Sequence, residues 1–448
     1  MTVPKNDVKI GAVSLGCSKN RVNTELMLGR LTEAGYSLTG DPSEADVIIV
    51  NTCGFIDDAK EESINTILEM AQYKNTGSLK ALVVTGCLSG RYKGDLSKLL
   101  PEVDPFLGIT AQNSICDTVE KALEGKKTES YGEADIKGDY SGRVLTTPPH
   151  YAYIKIAEGC NRRCAYCAIP FIRGNLRSRD MDEIVTEAMT LVKRGVKELI
   201  LVAQDTSKYG LDLYGKPMIT ELLKQLDSIE GVRMIRLLYY YPDGVTDELL
   251  DTINGSERIA DYLDIPIQHT STSVLRRMNR ADDRDSIFAA IKKIRDRNPD
   301  FIIRSTVITG FPGETEEEFR EMLEDIEKLE FDRLGCFAFS REEGTKAYSM
   351  EDQIPEEIRE ERKDEVMFLQ QGISNRRNRR RIGKIYNVVV EDYLEDEDIY
   401  LARSFGETPE VDGSIAVKSS RPLEISGYYD VKILRADDYE LLGEVVDE

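Results

Sequence analysis

The sequence predicts an α/β protein in three parts: an N-terminal open parallel α/β domain, a central partial (β/α)6 barrel and a small C-terminal all-β barrel. Three observations carry this. Short β-branched apolar runs alternate with helical patterns through the first 125 residues, as strands buried on both faces of a parallel sheet require. A second series of six such runs begins at residue 151, each followed by a helix-length spacer. After residue 383 the pattern changes to short alternating strands with Gly and Pro turns.

In the first part, expected over 7–125, VKIGAVSL (8–15), DVIIV (46–50) and ALVVT (81–85) read as strands. Helices are predicted over 22–34 and 58–71, with a shorter one after the third strand. Gly, Lys, Thr and Ser together with Pro148-Pro149 mark a polar linker over 126–149. The second series reads YAYIKIAE (151–158), VKELILVA (196–203), VRMIRLLY (232–239), YLDIPI (262–267), FIIRSTVI (301–308) and FDRLGCFAF (331–339), within a unit spanning 150–377. The last unit, 383–448, carries YNVVVEDY, SIAVKSSRP and YYDVKILRA.

Composition narrows the function. The formal net charge is −22 and the pI is near 4.8, so the surface repels phosphate backbones unless a basic patch overrides it. The start, MTVPKNDVKIGAVSLGC, holds no apolar run of signal-peptide length, and no stretch reaches the roughly 18 apolar residues of a membrane span. A cytoplasmic enzyme is expected. Its eight cysteines then read as metal or redox chemistry rather than crosslinks.

Six cysteines fall into two triads. In SLGCSKN, VNTCGF and VTGCLSG, each predicted strand of the first domain runs into a cysteine: Cys17, Cys53 and Cys87. Ligands bind at the carboxyl ends of strands in open α/β sheets, so these three are expected to converge as a cluster site; three small buried thiols are the alternative. The second triad lies in EGCNRRCAYCAIP, where Cys160, Cys164 and Cys167 follow the first strand of the barrel. A closed zinc site wants four ligands, whereas three thiolates suit an iron–sulfur cubane with one iron left open. Cys116 and Cys336 fit core packing.

Other positions carry weaker signals. Gly310 and Gly313 in ITGFPGETEEEF permit close backbone approach to a cofactor, and a strand-to-helix turn explains them equally. Gln204 and Asp205 end a barrel strand, where polar residues read as functional. Gln268-His269 is similar, but a lone histidine is more often structural. The basic run 375–381, NRRNRRR, is either an RNA or acidic-partner contact or a solvated helix end.

The blocks SLGCSKNRVNTE, NTCGFIDDAKEESI, GCLSGRY, AEGCNRRCAYCAIPFIRGNLRSR, QDTSKYG, DIPIQH and GFPGETEEEF resemble the radical S-adenosylmethionine methylthiotransferases, and the resemblance spans essentially the whole chain. It implies an N-terminal cluster domain, a radical SAM core and a C-terminal TRAM domain. By that likeness Cys17, Cys53 and Cys87 hold an auxiliary 4Fe–4S cluster, and Cys160, Cys164 and Cys167 hold the one that generates a 5′-deoxyadenosyl radical. Tyr166 lies near the adenine of S-adenosyl-L-methionine, Gln204 and Asp205 near its amino group, and Gly310 and Gly313 near its methionine or ribose portion. Two S-adenosyl-L-methionine molecules serve each turnover. The clusters carry the chemistry, so no catalytic side chain is implied. An electron donor such as flavodoxin or ferredoxin and a sulfur donor are the implied partners.

Two branches of that family compete, one acting on a transfer-RNA adenosine and one on the β-carbon of an aspartate in a small-subunit ribosomal protein. Residues 383–448 hold six Lys/Arg against seventeen Asp/Glu, a net −11. That suits a basic ribosomal protein rather than RNA, and SLGCSKN, the ESI after NTCGF and PEVDG (409–413) resemble the ribosomal-protein branch. No direct tRNA substrate is expected. A non-catalytic electron-transfer or scaffold protein would not need the barrel. With both triads upstream, the last domain is expected to be removable without loss of cofactor cleavage.

Overall fold

The computed structural model describes residues 4–132, 140 and 142–446. Its first sheet has six parallel strands: β1 (Lys9–Ser14), β2 (Ser37–Leu38), β3 (Val47–Thr52), β4 (Ala81–Gly86), β5 (Pro105–Gly108) and β6 (Thr128–Ser130), in the order β2-β1-β3-β4-β5-β6. The β3 and β4 runs are buried along their whole length, and an apolar core lies on each face of the sheet. The three predicted strands are its centre. Missing from the prediction were β2, two residues long, and β5, four residues opened by a proline. Strand β6 is a half-exposed polar edge inside the stretch read as linker.

The central unit contains β7 (Tyr151–Lys155), the short antiparallel pair β8 (Ala157–Glu158) and β9 (Arg177–Ser178), then β10 (Glu198–Val202), β11 (Met234–Leu237), β12 (Ile259–Asp264), β13 (Ile302–Thr309) and β14 (Arg333–Ala338). The six long strands form one open parallel sheet, β14-β13-β12-β11-β10-β7, which is the expected partial barrel. Helices cover one face with the largest core of the molecule. The other face is filled from outside the unit. Val22 and Leu26 of the N-terminal helix Ser18–Glu33 pack there against Tyr151, Tyr153, Ile200, Tyr262 and Ile302.

The last unit is a closed barrel of β15 (Ile385–Leu394), β16 (Ile399–Arg403), β17 (Ile415–Lys418), β18 (Tyr428–Ala436) and β19 (Leu441–Val445), in the order β15-β16-β17-β19-β18 around its own core. It is not a detachable handle. Glu198 of β10 accepts from Arg236 (2.9 Å) and pairs with Arg403 (2.7 Å), Arg236 donates to the Phe405 carbonyl (2.7 Å), and Tyr262 donates to Asp412 (2.8 Å). Deleting 383–448 would strip these partners from buried arginines, so the expectation that cofactor cleavage survives the truncation gives way to one of barrel damage. The basic run 375–381 is absorbed similarly: Arg376, Arg377, Arg380 and Arg381 pair with Glu327, Asp332, Glu330 and Glu407.

Glu407 makes this junction sensitive to acid. Against the cost of burial, Arg381, Arg333 and the Ser404 hydroxyl hold its carboxyl down to about 2. A depressed carboxyl stabilises the fold above its unfolded value and loses that contribution as pH falls toward the folded one. Between pH 5 and pH 2 the protein should therefore lose about 3 kcal/mol more stability than Glu407→Gln, measured by denaturant unfolding. Equal losses would show that Glu407 does not govern the acid limb. No helix among the described residues is long and apolar enough to cross a membrane.

Candidate active site

The first triad converges because β1, β3 and β4 are neighbours in the sheet. Cys17 caps the helix Ser18–Glu33, Cys53 follows β3, and Cys87 opens the helix Cys87–Arg91. Gly16, with φ +82°, lets the Cys17 turn press on Cys53; an added Cβ would lie 2.9 Å from that of Cys53. Burial pushes the Cys53 thiol up to about 11, with Cys87 and Cys17 adding to the rise. Burial also opposes ionisation of Cys17, yet Lys19 and Arg173 outweigh it and hold this thiol below its ordinary value.

The second triad sits on a loop whose base is tied by the β8–β9 ladder, Ala157 opposite Ser178 and Glu158 opposite Arg177. The loop is pinned further by Ala165 N–H donating to the Met278 carbonyl (2.8 Å) and Ala347 N–H donating to that of Ala165 (2.9 Å). Cys160 and Cys164 are buried and Cys167 is half-buried. Burial pushes the Cys160 thiol up to about 11 and raises Cys167, with Cys164 adding to both. The backbone N–H of Arg162 donates to Cys160 Sγ at 3.4 Å. Among the described residues, no three Cys, His, Asp or Glu side chains close around a point suited to one ion. Thiols that bind separate irons of one cubane stand farther apart than the ligands of one ion, so these sulfur-only sets could hold clusters. Iron would replace the protons that burial now favours.

One cavity of about 230 Å³ is walled by all three cysteines of the second triad, and from the first domain Phe55, two residues beyond Cys53, reaches its wall. Arg173 lies between the two triads. Fully buried, it donates to Glu158 (2.6 Å), to Asn20 Oδ1 (3.4 Å) and to Cys87 Sγ (3.3 Å). Glu158 also accepts from Lys155 (2.8 Å), and these cations hold its carboxyl far below the usual range against burial. A guanidinium fixed against Cys87, whose charge also favours ionised Cys17, is what an anionic thiolate cluster needs nearby.

Among the expected cofactor contacts, Tyr166 and Gln204 line the cavity. Asp205 is turned to other partners, accepting from Arg162 Nε (2.6 Å) and Ser207 N–H (3.0 Å). Gly310 and Gly313 do not reach the cavity wall. They have φ of +71° and +75°, with the Gly310 N–H bound to Glu314 and the Gly313 N–H to the Asp352 carbonyl, which is the turn reading. His269 is a buried structural residue, 3.5 Å from Glu314. Unforeseen wall residues are Arg163, Tyr239, Tyr241, Asp264 and Arg304. Arg163, Tyr239 and Gln268 all hold positive φ (+56°, +58° and +68°) at this cavity, a concentration of backbone strain that marks functional sites. Nothing in local sequence announces it.

Comparison with known proteins agrees with this layout. Residues 154–326 match the radical SAM superfamily, residues 9–108 the uncharacterized protein family UPF0004, and residues 382–446 the TRAM domain. The chain is 48% identical to the ribosomal protein uS12 methylthiotransferase RimO of Clostridium botulinum (strain Loch Maree / Type A3), over 98% of this chain and 99% of that one. It is 47% identical to the RimO protein of Clostridium tetani over the same shares. Among solved structures, the radical S-adenosylmethionine methyltransferase TsrM of Kitasatospora setae is similar in fold. The TM-score is 0.56 at 13% identity, covering 74% of this chain and 72% of that one.

Proposed function

The chain belongs to the RimO family of ribosomal protein uS12 methylthiotransferases, which are radical SAM enzymes, and from that premise we propose that it inserts a methylthio group at the β-carbon of an aspartate in uS12. The observation that carries the reading is two thiol triads tied by one guanidinium: Arg173, on the short helix that follows the second triad, donates to Cys87 of the first. We assign Cys17, Cys53 and Cys87 to an auxiliary 4Fe–4S cluster, and Cys160, Cys164 and Cys167 to the radical-generating one. When bound, the clusters and two S-adenosyl-L-methionine molecules supply the radical that removes the β-hydrogen and the sulfur and methyl that replace it.

The chain's own residues hold and shield. Arg173, oriented by Glu158, sets a positive charge against Cys17 and Cys87. Asp205 and Asp243 clamp the Arg162 guanidinium (2.6 and 2.7 Å), steadying the backbone N–H that donates to Cys160. Tyr166 and Gln204 offer a wall for the cofactor. Neither histidine is free to act as a base: His150 binds Ser426 and Glu391, and His269 accepts from Ser271 N–H. This is in keeping with a hydrogen removed as an atom rather than as a proton. A flavodoxin- or ferredoxin-type electron donor and a sulfur donor complete the partners of an enzyme acting in the cytoplasm.

The substrate side rests on charge. The β15–β16 hairpin tip exposes Glu395, Asp396 and Glu397 within a domain of net −11. Reversing these three to Lys should slow association with purified uS12 about tenfold and blunt its weakening as salt rises. The wild-type enzyme should methylthiolate uS12 and leave tRNA untouched, as read by mass spectrometry of both. Methylthiolated adenosine in the tRNA with unmodified uS12 would overturn the reading.

A further inference from the structure

Buried charges in this protein are paired almost everywhere: Lys155 with Glu158, Arg236 with Glu198, Arg377 with Asp332. Lys19 is the exception. It is only 4% exposed, its Nζ lies 3.2 Å from the centroid of the Tyr239 ring, and among the described residues it has neither a hydrogen-bond nor an ion-pair partner. Asp264, on which the Lys19 charge acts, is committed to Arg304 (3.2 Å) and to the Tyr239 N–H (3.2 Å). A cation–π contact alone does not replace the water that such an ammonium gives up. Its charge favours the ionised form of the Cys17 thiol without bonding to it, and the surroundings favour an anion as its bonded partner. Lys19 is in the first turn of the 16-residue helix Ser18–Glu33, a turn that contains no acidic residue and whose positive end attracts negative charge. Ser18 Oγ, in the same turn, is buried without a partner. Tyr239, the platform beneath the ammonium, lines the cavity walled by the second triad and is held in place at φ +58°.

We propose that Lys19 is the specificity-determining contact for the substrate carboxylate, an inference that rests on the uS12 reading above. The aspartate carboxylate is bonded to the β-carbon, so anchoring it on Lys19 Nζ, two residues from Cys17 and over the Tyr239 ring, fixes the carbon to be modified beside that cavity. It also selects aspartate over its neutral amide.

Binding to the cluster-loaded enzyme tests this, using a peptide that spans the modified aspartate, the same peptide with Asn there, and S-adenosyl-L-methionine. The wild-type enzyme should prefer the Asp peptide by about 10- to 100-fold, the size of a hydrogen bond to a charged group. Lys19→Met should bring the Asp peptide down to the affinity of the Asn peptide, and Lys19→Arg should restore part of the preference. The cluster-free Lys19→Met protein should melt no lower than wild type, since it loses an unpaired buried charge. An Asp preference that survives in Lys19→Met overturns the proposal. So does a loss confined to S-adenosyl-L-methionine, which would give the ammonium to the cofactor's own carboxylate. If the wild-type enzyme binds neither peptide, the uS12 reading fails and takes this proposal with it.

Discussion

Changing Cys160, Cys164 and Cys167 together to alanine is expected to leave about four of about eight irons after anaerobic reconstitution, and to abolish cleavage of S-adenosyl-L-methionine. The three thiols lie on one loop, closed at its base by the Glu158–Arg177 pairing and held across the barrel mouth by backbone bonds to Met278 and Ala347. Removing the sulfurs leaves those bonds intact, so the loss should be confined to one cluster. The other triad is carried by a different sheet with its own cores. Iron and sulfide analysis, with chromatography of 5′-deoxyadenosine, reads both effects. Iron content equal to wild type would show that this triad binds no cluster.

The matching change of Cys17, Cys53 and Cys87 should separate two activities that the wild-type enzyme couples. Reductive cleavage continues, because the loop cysteines and their backbone anchors are untouched. Methylthiolated uS12 falls below detection by mass spectrometry, because no thiol set remains to hold sulfur beside the cavity. Arg173 then loses its Cys87 contact but keeps Glu158 and Asn20, so the junction between the domains survives. Full product from this variant would sink the auxiliary-cluster assignment. Loss of both activities would show instead that the first triad supports the second structurally.

Much of this architecture was legible beforehand, for physical reasons that differ by element. Strands such as β3 and β10 are buried throughout and announce themselves as unbroken apolar runs. The loop cysteines are close in sequence, so their spacing alone reveals a ligand set. The first triad could be inferred because a parallel sheet carries its strand ends to one edge. Strand β6, a polar edge of three residues, has no such signature. Tyr239, Asp264 and Arg304 come together only through the register of β11, β12 and β13. The arginines of 375–381 looked like a surface patch because their acidic partners, Glu327, Glu330, Asp332 and Glu407, are spread over eighty residues. Lys19 was in plain view within SLGCSKN, but a lysine without a partner can be recognised only when every neighbour is known.

The helix Ser18–Glu33 has a consequence for how this protein comes into being. Its Val22 and Leu26 are finished only by Tyr151, Ile200, Tyr262 and Ile302. During synthesis the first domain, complete near residue 130, therefore leaves the ribosome with an apolar seam that stays open until Ile302, about 170 residues later, has emerged. At roughly 5–20 residues per second, that exposure lasts about ten to thirty seconds. The same seam begins at Cys17, so the first triad should acquire its final walls only after the barrel has been translated. Under the proposed cluster assignment, metal loading at that site would be a late event in the life of the chain, and a nascent domain released early should aggregate rather than mature.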